Sequence, residues 1–140
     1  MKRLFASSLV IVLATAALAA APALGQPDNK TELVALDGES VDKMQLRYDF
    51  NAGWVVDTQN ILWRDNSRAY YLMTLKEACE PLDIRGRRVD FFPSWSPQLR
   101  ASRAYEVRPQ AGAPCDVARI EQIDDVRANP LRDASLRRIW

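Results

Sequence analysis

The chain has 140 residues, with 19 Lys and Arg against 18 Asp and Glu, no histidine, two cysteines and 48% hydrophobic residues. Without histidine, Ser-His-Asp and Cys-His catalysis and His-based metal sites are excluded. The near-neutral balance gives no field that would recruit nucleic acid or an anionic membrane, and the five scattered glycines build no phosphate-cradling loop.

Residues 1–25 have the order of a secretory signal peptide. Basic Lys2 and Arg3 precede an apolar or small stretch that runs to Ala21, and Ala23-Leu24-Gly25 offers a small-x-small cleavage site before Gln26. Ala17-Leu18-Ala19 is a second acceptable cleavage point. The leader takes two of the 19 bases and no acid, so the remainder carries 17 bases against 18 acids. What is left suits one small domain with a modest core. The expectation is a periplasmic or secreted protein with no stable membrane insertion after cleavage. In that setting Cys79 and Cys115 read as one disulfide. Closing a loop of roughly 37 residues contributes about 4 kcal/mol in the chain-entropy picture.

Residues 26–33 are polar and read as a flexible leader. Val34-Ala35-Leu36 before Asp37-Gly38 reads as a short strand and turn, and residues 40–44 as either a helical turn capped by Ser40 or the lead-in to a strand. Over 45–50, Leu46, Tyr48 and Phe50 alternate with Gln45, Arg47 and Asp49, the period of a half-buried strand, and Asn51-Ala52-Gly53 breaks it. Trp54 to Asp57 and Ile61 to Arg64 are further strands. Asp65-Asn66-Ser67 has the chemistry of a three-residue hairpin loop, with Asn66 or Ser67 in the left-handed region. The stretch 68–75 reads as the longest strand. Ala69, Tyr71, Met73 and Leu75 take one face and Tyr70, Leu72 and Thr74 the other, so both faces are apolar and the strand is central. Residues 76–80 suggest a helical turn ended by Pro81, and 82–84 a brief extended piece. Gly86 marks a turn before a strand over 89–92. Pro93, Pro97 and the residues around Trp95 make a loop. One strand is expected over 99–107, a Pro/Gly-rich loop over 109–114 and a last strand over 117–123. Pro130 at a first helical position, Asp133 near the start and Arg137 and Arg138 near the end place a short helix over 130–140.

The expected architecture is mainly β: a small antiparallel barrel-like or sandwich domain with a short C-terminal helix. Its divisions are a signal peptide at 1–25, a leader at 26–33, the β-rich domain at 34–125 and a helical tail at 126–140. Trp54, Trp63, Tyr71 and Phe91 read as core. Asp83 with Asp90, or Asp124 with Asp125, are the carboxylate pairs available for acid–base work or Ca²⁺, but neither fits a loop motif and both read more simply as solvated surface. Arg85, Arg87 and Arg88 form a basic turn suited to a phosphate or carboxylate. Trp95, in its Pro-flanked loop, is the best exposed aromatic, with Tyr70 able to join it if the barrel is open there. These four residues, Arg85, Arg87, Arg88 and Trp95, are the candidate partner-binding site; no catalytic, metal or cofactor residue is expected.

The order of several pieces resembles a family of small exported proteobacterial proteins classed as a domain of unknown function. Those pieces are Gly53-Trp54, then Val56-Asp57-Thr58-Gln59-Asn60-Ile61-Leu62, then Tyr70-Tyr71-Leu72 with Leu75, Cys79 and Leu82. Arg103-Ala104-Tyr105-Glu106-Val107 and Cys115, Val117, Ile120 and Ile123 complete the series. The likeness spans residues 41–124. It implies an exported β-rich domain with a structural disulfide, and it implies no activity, cofactor or catalytic residue. The functional expectation is a non-enzymatic binding or interaction module with an unknown protein or glycan partner in the cell envelope. The alternative is an inhibitor of an enzyme such as lysozyme, working through a loop around Trp95.

Overall fold

The computed structural model describes residues 30–46, 50–83, 88–92 and 98–139. Its elements are strands β1 (Glu32–Val34), β2 (Lys43–Gln45), β3 (Phe50–Val55), β4 (Asn60–Asp65), β5 (Tyr70–Leu75), β6 (Val89–Phe92), β7 (Gln98–Arg100), β8 (Glu106–Pro109), β9 (Cys115–Ile123) and β10 (Arg137–Arg138). A 3-10 turn covers Glu80–Asp83, and one helix, α1, covers Asp125–Asp133. The main sheet runs β10-β3-β4-β5-β9-β8-β6 and curls into an antiparallel half-barrel. β5 is its middle strand. β1 lies parallel to β9, and β2 pairs β7 in a separate two-stranded sheet.

Period-two alternation sorts the side chains onto two faces. The inner face gathers Val55, Ile61, Trp63, Tyr71, Met73, Leu75, Val107, Val117 and Ile120, and Leu33, Met44, Leu46 and Leu99 from β1, from β2 and the residue after it, and from β7 pack onto the same core. Phe50 touches three rings there: Trp63 at 5.2 Å, Tyr71 at 5.7 Å and Phe91 at 5.5 Å between centroids. Phe91 in turn stacks on Tyr105 at 5.4 Å. The outer face carries a second cluster of Ala52, Trp54, Leu62, Tyr70, Ile123 and Ala128, so α1 packs on the convex side. Both faces of β5 are therefore apolar, as the pattern of 68–75 requires. The disulfide joins Cys79, just past β5, to Cys115 at the start of β9, with Cα atoms 6.1 Å apart. Among the described residues no helix is long and apolar enough to cross a membrane.

Several local expectations shift. Part of the presumed leader is structured: Thr31 and Leu33 are buried, the Thr31 hydroxyl donates to Val117 O at 3.0 Å, and Tyr105 N–H donates back to that hydroxyl at 3.3 Å. A three-residue strand between polar neighbours leaves no periodic trace. Asn51-Ala52-Gly53 does not end a strand but lies inside β3, where the register slips between Phe50 and Ala52 as a bulge. The hairpin loop is one residue later than expected. Arg68, with φ 73°, is the left-handed residue, and Arg68 N–H donates to Asp65 O while Asp65 N–H donates to Ala69 O, both at 3.0 Å. Asp65 drives this: fully buried, its Oδ1 accepts from Ser67 N–H (2.8 Å), Ser67 Oγ (2.7 Å) and Ala69 N–H (3.0 Å), while its Oδ2 accepts from Tyr71 Oη (3.3 Å).

The longest strand is β9, with nine residues, not β5. The turn after β5 is the 3-10 stretch Glu80–Asp83, which contains Pro81 rather than stopping at it, and Leu82 is fully buried within it. The stretch 99–107 divides into β7 and β8 around a turn. The C-terminal helix starts earlier, at Asp125, because Asp124 caps it: Asp124 Oδ1 accepts from Arg127 N–H at 2.9 Å. Pro130 sits inside α1 and Asp133 at its end. Arg137 and Arg138 leave helical geometry and pair with Val55 and Trp54 as edge strand β10. Residues 1–29, with the expected signal peptide and the rest of the expected leader, lie outside the described residues, as do Tyr48, Gly86 and Trp140.

Candidate functional site

The exposed face of β6 and β8 is where the sequence-predicted site meets the described structure. In β6, Val89 and Phe91 point inward, so Asp90 and Phe92 point outward. Consecutive residues of a strand point to opposite faces, and this alternation is the signal that could have found Phe92, expected within a strand but not among the candidate contacts. β8 pairs Asp90 with Arg108 and Phe92 with Glu106. The outer face therefore presents a compact group of Asp90, Phe92, Glu106 and Arg108. The Phe92 ring, 42% exposed, is covered by the Arg108 guanidinium at 4.0 Å from its centroid. Glu106 holds the same guanidinium as an ion pair. The aromatic is thus fixed in orientation while remaining in contact with solvent.

Arg88 enters this group from the start of β6. Its Nε donates to Asp90 Oδ1 at 2.7 Å, and its backbone carbonyl accepts from Gln110 N–H at 2.9 Å. Arg85, Arg87 and Trp95 lie outside the described residues. A hollow of about 260 Å³ opens beside Phe92, lined by Arg103, Ala104, Tyr105, Glu106 and Asp116. Asp116 follows the disulfide in β9 and faces Lys76 Nζ at 3.6 Å. These pairs are solvent-exposed and contribute little to stability. What they supply is a dense array of donors and acceptors around one aromatic ring.

The other candidates resolve differently. Tyr70 does not contribute an exposed contact. It is buried on the outer face with its ring 6.2 Å from Trp54, because α1 covers that part of the sheet. Trp54, Trp63, Tyr71 and Phe91 are all buried. Of the carboxylate pairs, Asp124 is consumed as the α1 cap and Asp125 lies in the first helical turn, where a negative charge complements the helix dipole. Asp90 is engaged by Arg88, and the Asp83 side chain is outside what is described. Among the described residues no group of three or more Cys, Asp or Glu is placed to hold a metal ion.

A second feature had no sequence signal. Trp54, on the outer face of β3, has the Arg64 and Arg138 guanidinium carbons each 5.8 Å from its ring centroid. Arg138 arrives through β10, which the sequence hides because its two residues follow a helix without a strand pattern. Nearby, Glu121 bonds the Arg127 guanidinium and holds its pKa above the ordinary arginine value; Asp133 does the same for Arg132. Comparison of the chain with protein-family models, curated proteins and solved structures found no match.

Proposed function

We propose that this protein is an exported, non-enzymatic binding module whose contact face is the outer surface of β6 and β8, with Arg88 at its edge. The observation that carries this reading is Phe92: a large aromatic left in solvent, held by the Arg108 guanidinium at 4.0 Å, and set beside a hollow lined by charged groups. Interfaces favour aromatic and arginine anchors within a polar surround. A protein or glycan of the cell envelope is the class of partner that such a mixed surface suits.

The test is retention of envelope components on the immobilised protein, compared with a Phe92→Ala/Arg108→Ala variant of unchanged thermal midpoint. A partner held by the wild type and released by the variant is expected. An identical set of retained components would overturn the assignment of this face. Adding the protein to lysozymes of different classes asks whether the partner is an enzyme: loss of lysozyme activity that requires Phe92 and Arg108 identifies the contact as inhibitory.

A further inference from the structure

We infer that Arg64 and Arg138 form a phosphate-binding site across the Trp54 indole, separate from the β6–β8 face and at the other end of the strand order. Register puts the three side chains on one face: Arg138 is opposite Trp54, Trp54 is opposite Leu62, and Arg64 lies two residues further along β4. Each guanidinium carbon is 5.8 Å from the same ring centroid, so the two are separated by at most twice that distance. The indole is 8% exposed and backed by Tyr70. It is a buried platform that both planar cations contact.

These two cations differ from their neighbours. Arg119, Arg127 and Arg132, which flank the same outer face, each have a carboxylate within 4.0 Å. Arg64 and Arg138 have none among the described residues. Among the described residues, carboxylates of the outer face and of the β4 end are engaged elsewhere: Glu121 with Arg127 and Arg119, Asp133 with Arg132, and Asp65 with its own hairpin loop on the inner face. Arg64 Nε is moreover buried without a hydrogen-bond acceptor. Arg119 and Arg137 also each bury one such nitrogen, but Arg119 faces Glu32 and Glu121, and Arg137 donates to Leu82 O at 2.8 Å.

Cation–π contact orients a guanidinium but does not neutralise it. Two guanidinium groups over one ring, with no carboxylate partner among the described residues, match a dianionic phosphate, which guanidinium groups bind bidentately. The two sources of such a group are a soluble phosphate monoester and a lipid whose headgroup is a phosphate monoester; the shared chemistry is the doubly charged oxyanion.

The experiment is titration of the isotope-labelled protein with inorganic phosphate and pyrophosphate at constant ionic strength. The Arg64 Nε–H and Trp54 indole N–H resonances are followed. Saturable shifts at both are expected. Arg64→Gln and Arg138→Gln should each weaken binding about tenfold or more, the loss typical of one charge-assisted bidentate contact. Phe92→Ala/Arg108→Ala should leave it intact, so that failure of this site and failure of the β6–β8 reading remain distinguishable. Sedimentation with vesicles containing phosphatidic acid, whose headgroup is a phosphate monoester, separates the sources: arginine-dependent co-sedimentation assigns the lipid headgroup, and phosphate binding without it assigns a soluble monoester. Absence of saturable shifts in the wild type, or equal affinity in the double glutamine variant, overturns the site.

Discussion

Gly53→Ala tests the packing logic of the sheet most directly. Gly53 lies opposite Trp63 on the inner face, where the indole occupies the space a side chain would need. A Cβ there would meet Trp63 Cε3 at 2.9 Å, Trp63 Cζ3 at 3.0 Å and Ile139 Cδ1 at 3.3 Å. Trp63 is 1% exposed and rests on Phe50 at 5.2 Å, which in turn contacts Tyr71 and Phe91, so a shift of the indole is passed into the aromatic core. Overpacking of this kind costs about 1–3 kcal/mol. Replacing glycine within a strand returns about 0.5–1 kcal/mol of backbone entropy. The clash wins, with a net loss of about 1–2 kcal/mol and a fall of about 4–8 °C in thermal midpoint for a domain of this size. Circular dichroism melts and urea titrations read it, with an unchanged m-value. Trp63→Phe supplies the control, since it deletes the benzo ring that carries both clashing atoms. The Trp63 indole N–H has no acceptor, so no hydrogen bond is forfeited. In the Trp63→Phe background Gly53→Ala should cost at least about 1 kcal/mol less. An equal cost in both backgrounds, or a Gly53→Ala protein as stable as the wild type, refutes the reasoning.

Three further outcomes follow from named contacts. Arg68→Gly should raise stability by about 1 kcal/mol, because a non-glycine residue holds φ 73° there; a lower urea midpoint would contradict it. Asp65→Ala leaves two backbone N–H groups and two hydroxyls without their acceptor, and it should cost about 3–5 kcal/mol by chemical denaturation; Asp65→Asn should lose less. A Cys79→Ala/Cys115→Ala protein gives up a cross-link of sequence separation 36, and its unfolding free energy should drop by about 4 kcal/mol; a thermal midpoint insensitive to reductant would show that the cross-link contributes nothing.

The mainly β class, the central place of β5, the two faces of residues 69–75 and the disulfide were all legible, because each rests on a local signal: alternation, turn residues or cysteine count. What escaped depends on long-range pairing. β1 and β10 are too short to show a period, and both exist because a neighbouring strand offers an edge. Pro130 and the basic pair Arg137 and Arg138 suggested a helix start and end, yet the Asp124 cap fixes α1 earlier and the basic pair joins β3. Of the expected site, Arg88 proved to be part of an exposed group, but Phe92 and Arg108 meet only across the β6–β8 register. Their contact links residues 16 apart in sequence through strand pairing alone, which no window of sequence can display.

The division of labour between the two faces of the half-barrel bears on where function can reside. The inner face is spent on packing: its aromatics contact one another, and its buried carboxylate Asp65 is saturated by the hairpin it shapes. A change there acts through stability before it acts through recognition. The outer face is divided into three. α1 seals the middle over Ala52, Leu62 and Ile123. On one side of it, Arg64 and Arg138 grip Trp54 without counter-charges among the described residues; on the other, Arg108 grips Phe92 with Glu106 as its counter-charge. The same element, an arginine over an aromatic ring, therefore stands in two electrostatic states. The β6–β8 group is locally balanced and suits a neutral or mixed partner through shape and stacking. Among the described residues the Trp54 group carries excess positive charge and suits an anion. Raising the ionic strength should accordingly weaken ligand binding at Trp54 strongly and at Phe92 only slightly, and equal salt dependence at the two faces would mean that this distinction has no functional consequence.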